Sequence, residues 1–311
     1  MKVAITGGTG FLGLRLLECL RRHGHACTVL SRDPQRARLH GVPEGIPVSG
    51  LDSLPQGDAV VHLAGESPVG WWTRAKRRAI LESRVEGTRR LVRAMAALPV
   101  RPRVLACASA VGIYGHRPGE RLEETSALDP DRGFRHEVCR QWEEAALEAE
   151  ALGIRVVLLR IGNVFSLEGG YVAEFLRLHR AGFRWGVGNP EASIAWIAVE
   201  DAVRLIAFAL ERETIRGALN VTAPHPVTQR AFAEALAARF GRRLWGMVPG
   251  GMLRLGLGEF SRALVDDQRV IPSTALRERF VFQYPAWRLW ADEWLTAPGL
   301  PPEGEAARSL G

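Results

Sequence analysis

Residues 1–13 read MKVAITGGTGFLG, and the fold turns on them. Val3, Ala4 and Ile5 form a short apolar run of strand character, and the glycines that follow fall at Gly7, Gly10 and Gly13. Gly7 can turn tightly out of the strand, Gly10 leaves the backbone open to a phosphate, and Gly13 lets a helix seat against the sheet. The helix that starts there offers N–H groups and positive potential to an anion. A glycine triplet alone is a weak signal. Here it leaves a strand, opens an amphipathic helix and precedes a second strand, ACTVLSR, which makes it a dinucleotide-binding turn.

The end of that second strand speaks to the choice of dinucleotide. NAD sites place an acidic side chain there, about 20 residues after the glycines, to hold the ribose 2′-hydroxyl. Here Arg32 stands 19 residues beyond Gly13, with Ser31 beside it. A guanidinium matches a 2′-phosphate in charge and in fork geometry, so NADP(H) is favoured over NAD(H). Asp33 follows at once and keeps NAD(H) open as the alternative.

Further along, DAVVHLAG, RVLACAS and IRVVLLRIG are runs without polar alternation, which suits strands covered on both faces. Helical patterns over about 11–23, 73–97 and 135–151 alternate with them. The expected fold is α/β, a Rossmann-type doubly wound parallel sheet with a smaller interleaved C-terminal lobe. Residues 1–165 form the dinucleotide domain, with 199–222 returning to it, and 166–198 and 223–295 form the lobe. The proline- and glycine-rich tail 296–311 is expected to be disordered.

Composition narrows the partners. The chain has 311 residues, 47% of them hydrophobic and 24% charged, with a net charge of +7. Lysine occurs only at Lys2 and Lys76, and the arginines that dominate the charge are spread along the chain. A dispersed charge gives no nucleic-acid footprint. No apolar run reaches the roughly 18 residues of a membrane span, since Arg160 interrupts the longest candidate. Strand residues begin at Lys2, which leaves no room for a leader, and a cytoplasmic location is the expectation. Cys19, Cys27, Cys107 and Cys139 show no metal-ligand spacing, so no metal site is expected.

TGGTGFLG, VVHLAG, SAVGIYG and LLRIGNV resemble the extended short-chain dehydrogenase/reductase superfamily. HLAGES, WWTRAKRRAILESRV and VTAPHPVTQRAFAEALA are similar to its nucleotide-sugar "epimerase family protein" branch, which ends in a C-terminal domain of unknown function. The resemblance implies that Gly7, Gly10, Phe11, Leu12, Ser31 and Arg32 hold the pyrophosphate and adenosine end. It implies that Leu63, Ala64 and Gly65 follow the adenine and ribose, and that Asn163 approaches the nicotinamide. By analogy alone, the long helices on either side of RVLACAS leave a homodimer open.

One part of that resemblance is missing. Carbonyl-reducing members use a Tyr-x-x-x-Lys pair, and no such spacing exists here. Phe134 stands where the tyrosine belongs and Val138 where the lysine belongs. Losing a general acid–base costs about 10²–10⁴ in rate. Tyr114 and Ser109, near the end of a central strand, are the first candidates to replace it. Glu66 and Ser67, after Gly65, are candidate substrate contacts, as is Trp196 with Trp71 and Trp72 in an apolar wall. His62 reads as a packed strand-end histidine. The expected function is NADP-dependent epimerase or oxidoreductase chemistry on an unknown small substrate, with a non-catalytic NADP(H) sensor or scaffold as the alternative.

Overall fold

Apolar β-branched runs must be covered on both faces, and parallel strands joined by crossing helices achieve that. In a computed structural model, residues 1–128 and 133–296 are described. The chain runs β1 (Lys2–Thr6), α1 (Phe11–Arg22), β2 (Ala26–Leu30), α2 (Pro34–Leu39), β3 (Val48–Ser49), β4 (Ala59–His62), α3 (Arg74–Ala96), β5 (Val104–Ala110), β6 (Arg121–Leu122), α4 (Phe134–Leu147) and β7 (Arg155–Ile161). Then come β8 (Asn163–Phe165), α5 (Gly170–Arg180), β9 (Trp185–Val187), β10 (Ser193–Ile194), β11 (Trp196–Ala198), α6 (Val199–Glu211) and β12 (Gly217–Val221). The remainder is β13 (Val227–Thr228), α7 (Gln229–Arg239), β14 (Gly246–Val248), α8 (Gly250–Leu257), α9 (Arg262–Val265), β15 (Arg269–Val270), α10 (Ser273–Arg277) and α11 (Trp287–Thr296).

Seven strands make one sheet in the order β12-β7-β5-β4-β1-β2-β3, and every pairing in it is parallel. This is the doubly wound Rossmann-type sheet expected. Leu16, Leu17 and Leu20 of α1 share a core with Leu205 and Ile206 of α6 and with Val3 and Ile5. On the opposite face Leu91 and Met95 of α3 and Trp142 and Ala146 of α4 pack with Ala4, Val60 and Leu105. The period of two along β1 thus feeds both cores. The chain winds from β1 outward to β3 and then crosses back to β4, so a crevice opens over the carboxyl ends of β1 and β4.

Those two strand ends are joined. Thr6 Oγ1 lies 2.5 Å from His62 Nδ1 and accepts a hydrogen bond from the Ala64 N–H at 3.3 Å. Burial, helped by the charge of Arg84, lowers the His62 pKa to about 4. It is a packed strand-end residue.

Four small strand pairs, β8 with β11, β9 with β14, β10 with β13 and β6 with β15, build the smaller lobe. Its core centres on Phe165, which has Tyr171, Trp196, Phe232, Trp287 and Trp290 around it at ring separations between 5.2 and 5.8 Å. Trp196 is fully buried in this cluster, and its Nε1 donates to the His225 carbonyl at 2.8 Å. The sequence placed Trp196 on a substrate wall; the structure corrects this, because its ring is enclosed by other rings on a core strand. Asp201, fully buried at the start of α6, accepts the N–H groups of Gln283 and Tyr284 at 2.8 and 2.7 Å. It ties the C-terminal segment to the sheet. Of the tail 296–311, only Thr296 falls among the described residues, and the expectation of disorder lies outside them. Among the described residues no helix is long and apolar enough to cross a membrane.

Two outcomes follow from this packing. Trp196→Ala is expected to cost about 3–5 kcal/mol in a urea unfolding titration. The second concerns acid. The unfolded chain protonates His62 near its ordinary 6.5, whereas the native ring refuses the proton until about 4. The unfolded state therefore binds more protons in that window. This contribution is full above pH 6.5 and is lost as pH falls toward 4, by at most about 3 kcal/mol. His62→Gln should flatten the stability difference between pH 7 and pH 5; matching pH profiles in both proteins would exclude the mechanism.

Candidate functional site: the crevice over β1 and β4

The turn after β1 is as tight as its glycines allow. Gly7 has φ +70°, and a Cβ there would lie 2.7 Å from the Ala64 nitrogen and the Leu63 carbonyl carbon. A Cβ on Gly13 would lie 2.2 Å from the Gly7 oxygen. Gly10 differs: its N–H donates to the Gly7 carbonyl at 3.0 Å, and a Cβ there would meet only that oxygen, at 3.3 Å. Its outer side is open to an approaching group. No side chain caps α1 and no acidic residue occupies its first turn, so the helix start keeps its N–H groups and positive end for an anion. Phe11 and Leu12 are half-buried. The Phe11 ring packs under Gly169, where a Cβ would come within 2.7 Å of it. That fit between the turn and the start of α5 had no signal in the sequence.

Arg32, just past β2, is exposed and makes no hydrogen bond or ion pair among the described residues. Ser31 Oγ donates to the Asp33 carbonyl at 2.8 Å and accepts the Asp33 N–H at 3.1 Å. On the other flank Leu63 and Ala64 are half-buried, while Gly65, Glu66 and Ser67 are exposed. Arg84 of α3 stacks on the Trp142 ring at 4.9 Å and donates to the Glu66 carbonyl at 2.9 Å. It therefore pins the loop that follows β4. Ser67 Oγ accepts the Val69 N–H at 3.3 Å. Asn163 gives both its backbone N–H and its side-chain amide to the Ala195 carbonyl, at 2.7 and 3.2 Å.

The deeper end of the crevice is apolar or already bonded. Phe134 and Val138 lie one turn apart on α4, with Val138 buried. Trp72 meets Phe134 edge-on at 5.3 Å, Arg77 lies over the Phe134 ring at 5.2 Å, and Phe260 lies 6.3 Å from Trp72. Tyr114 is fully buried. Its hydroxyl donates to Asn220 Oδ1 at 2.8 Å and accepts from Arg160 Nη1 at 2.9 Å. Burial pushes its pKa up from the ordinary phenol value, despite the Arg160 charge. Ser109 is buried too and donates to Glu143 Oε1 at 2.7 Å, while Arg160 grips both Glu143 oxygens at 2.9 Å. Tyr114 and Ser109, the candidates to replace the Tyr–Lys pair, are thus both placed in a buried hydrogen-bond network.

Sequence reasoning missed the centre of that network. Arg160 inside VVLLRIG was a visible signal, because a charge within a buried strand requires a partner. Glu143, on the inner face of α4, is that partner. Glu124 was missed as well; it accepts the Asn220 N–H at 3.0 Å and the Thr274 N–H at 3.2 Å. Burial holds the Cys107 and Cys139 thiols up at about 12 and about 11, so neither is a nucleophile.

With this geometry in place, comparison with known proteins is informative. The NAD dependent epimerase/dehydratase family matches residues 3–222, and a domain of unknown function, DUF1731, matches residues 248–289. The epimerase family protein YfhF of Bacillus subtilis (strain 168) is 36% identical over 291 residues, covering 91% of this chain and 94% of that protein. A crystal structure of human epimerase family protein SDR39U1 (isoform2), solved with NADPH, superposes with a TM-score of 0.83 at 29% identity. It covers 94% of this chain and 98% of that one. The UDP-glucose 4-epimerase of Thermus thermophilus, 23% identical over 96% of this chain and 100% of its own with a TM-score of 0.70, shares the fold. A nucleotide-binding Rossmann-like sheet followed by the DUF1731 segment places the chain in the NAD dependent epimerase/dehydratase family, among its epimerase family proteins.

Proposed function

We propose that the chain binds NADP(H) across the β1–β4 crevice and acts as an epimerase-like oxidoreductase on a small carbonyl or nucleotide-sugar substrate, without a Tyr–Lys proton relay. Arg32 carries the choice of coenzyme. It is exposed just past β2, where a 2′-phosphate would lie, and makes no hydrogen bond or ion pair among the described residues, while the backbone of Asp33 is folded back on Ser31. The NADPH of the human relative supports the same choice. The cradle fits the group: Gly7, Gly10 and Gly13 leave room that any Cβ would narrow, and Phe11 and Leu12 begin the helix that faces the pyrophosphate. Ser31 and Arg32 would hold the adenosine end, Leu63, Ala64 and Gly65 the ribose and adenine, and the loop at Asn163 the nicotinamide.

Bound there, the nicotinamide supplies hydride transfer. Phe134 and Val138 exclude water and hold no proton. Tyr114 and Ser109 are committed to Asn220 and Glu143. Glu66, paired with Lys76 at 2.6 Å, and Ser67 are exposed polar side chains at the mouth that a substrate would meet. On this reading the ligand is a small molecule met in the cytoplasm, and α3 and α4 are the faces a homodimer would pair. The second reading, a sensor or scaffold that binds NADP(H) without turnover, draws on the same closed network and on the Phe134–Val138 pair.

Arg32→Asp should weaken NADPH by about 10- to 100-fold while leaving NADH nearly unchanged, as read by calorimetric titration. Equal loss for both would remove the 2′-phosphate assignment. Purified protein loaded with NADPH should oxidise it when offered sugar nucleotides, aldehydes or quinones; binding without oxidation across that set favours the sensor. In either case Tyr114→Phe should leave coenzyme affinity and any turnover intact. It should lower stability by about 1–2 kcal/mol, because Asn220 and Arg160 lose a buried partner.

A further inference from the structure

One ion pair joins the loop after β4 to the start of α3 at the mouth of the crevice. Lys76, in the first turn of α3, places its Nζ 2.6 Å from Glu66 Oε1. The two side chains are 24% and 44% exposed, so their attraction adds little to stability. Glu66 lies two residues beyond Ala64, whose nitrogen abuts Gly7, so its carboxylate belongs to the loop that flanks the phosphate cradle. The Lys76 hydrogen bond, then the Lys76 charge, with Arg84 and Arg32 adding to it, hold the Glu66 carboxyl below the usual range. Lys76 is thus the cation in contact with this carboxylate, Arg84 holds the carbonyl of the same residue at 2.9 Å, and the start of α1 carries no acidic residue of its own. A carboxylate fixed there opposes an incoming phosphate unless an ammonium offsets it, and a doubly charged pyrophosphate competes for that ammonium better than a single carboxylate does.

We propose that Lys76 is a pyrophosphate-binding cation of the dinucleotide site and that Glu66 is the internal anion it exchanges for when the coenzyme enters. The proposal rests on the cofactor reading above. It concerns the pyrophosphate common to NADPH and NADH, so its signature is separate from that of Arg32, which acts on their ratio. The exchange is a rearrangement of ion pairs: Lys76 leaves the Glu66 carboxylate for a phosphate oxygen, and the freed carboxylate turns to solvent.

The test is a calorimetric titration of NADPH and NADH into the full-length wild type, Lys76→Met, Glu66→Gln and the double variant. Melting temperatures should match across the four, since both side chains reach water. Lys76→Met is expected to weaken both coenzymes by about tenfold or more. Glu66→Gln should tighten both by roughly threefold, and the double variant should recover part of the Lys76→Met loss, because Glu66 without its ammonium only repels. Unchanged affinities in Lys76→Met overturn the proposal, and so does weaker binding in Glu66→Gln, which would make the carboxylate a direct ligand. A loss confined to NADPH overturns the pyrophosphate assignment by moving Lys76 to the 2′-phosphate. Wild-type protein that takes up neither coenzyme overturns the cofactor reading and this proposal together.

Discussion

The close contact between the turn after β1 and its neighbours governs the rest of the molecule. With 2.2 Å between a Gly13 Cβ position and the Gly7 oxygen, and 2.7 Å between a Gly7 Cβ position and Ala64, three segments share one space that only glycine leaves free. Helix α1 can then begin directly over the strand end, and the loop after β4 can lie against the turn. The Thr6–His62 bond sets the spacing of the two strand ends beneath them. A helix N-terminus that begins over the end of an interior parallel strand offers its N–H groups to an anion, whatever substrate the lobe receives.

A second constraint shapes the deep end. Breaking a buried ion pair by removing one partner costs about 3–5 kcal/mol, because the survivor is an uncompensated charge. Once Arg160 sits buried near the end of β7, Glu143 must face it, and the remaining donors and acceptors need partners as well. Ser109, Tyr114 and Asn220 complete that set, and Asn220 Nδ2 carries it on to the Ile271 carbonyl at 2.9 Å. The network spans β5, α4, β7, β12 and the segment before α10, so it joins the sheet to the lobe. Its hydroxyls stabilise the fold because they are saturated, and saturated hydroxyls are poor proton shuttles.

What the sequence revealed and what it hid divide along the range of the interactions. The helical patterns over about 11–23, 73–97 and 135–151 were legible because they are local, and α1, α3 and α4 match them. The glycine turn was legible because its spacing encodes its own geometry. The burial of Tyr114 was hidden because its local context, a glycine-flanked loop after a strand, suggests exposure. Asn220, which buries it, lies 106 residues away and Arg160 lies 46 away. Trp196 misled for a similar reason. Its neighbours Phe165, Phe232 and Trp287 come from separate segments, and nothing in a lone tryptophan distinguishes a core ring from a cleft wall. Arg160 was the one long-range feature with a local trace, since an arginine flanked by apolar strand residues requires a carboxylate somewhere.

These two constraints act on separate parts of the crevice, and that separation bears on how such a chain works. The phosphate end depends on backbone N–H groups, glycines and exposed cations, all of which tolerate variation in the lobe. The deep end depends on side chains contributed by the sheet and the lobe together, so a change there must be matched across several elements. Phe134 and Val138 lie on α4, whereas the glycine turn and the start of α1 belong to another part of the chain, so an apolar pair on α4 leaves the features that would grip a dinucleotide in place. Binding and turnover are then independent properties of one fold, and affinity for the coenzyme by itself carries no information about whether hydride ever leaves it.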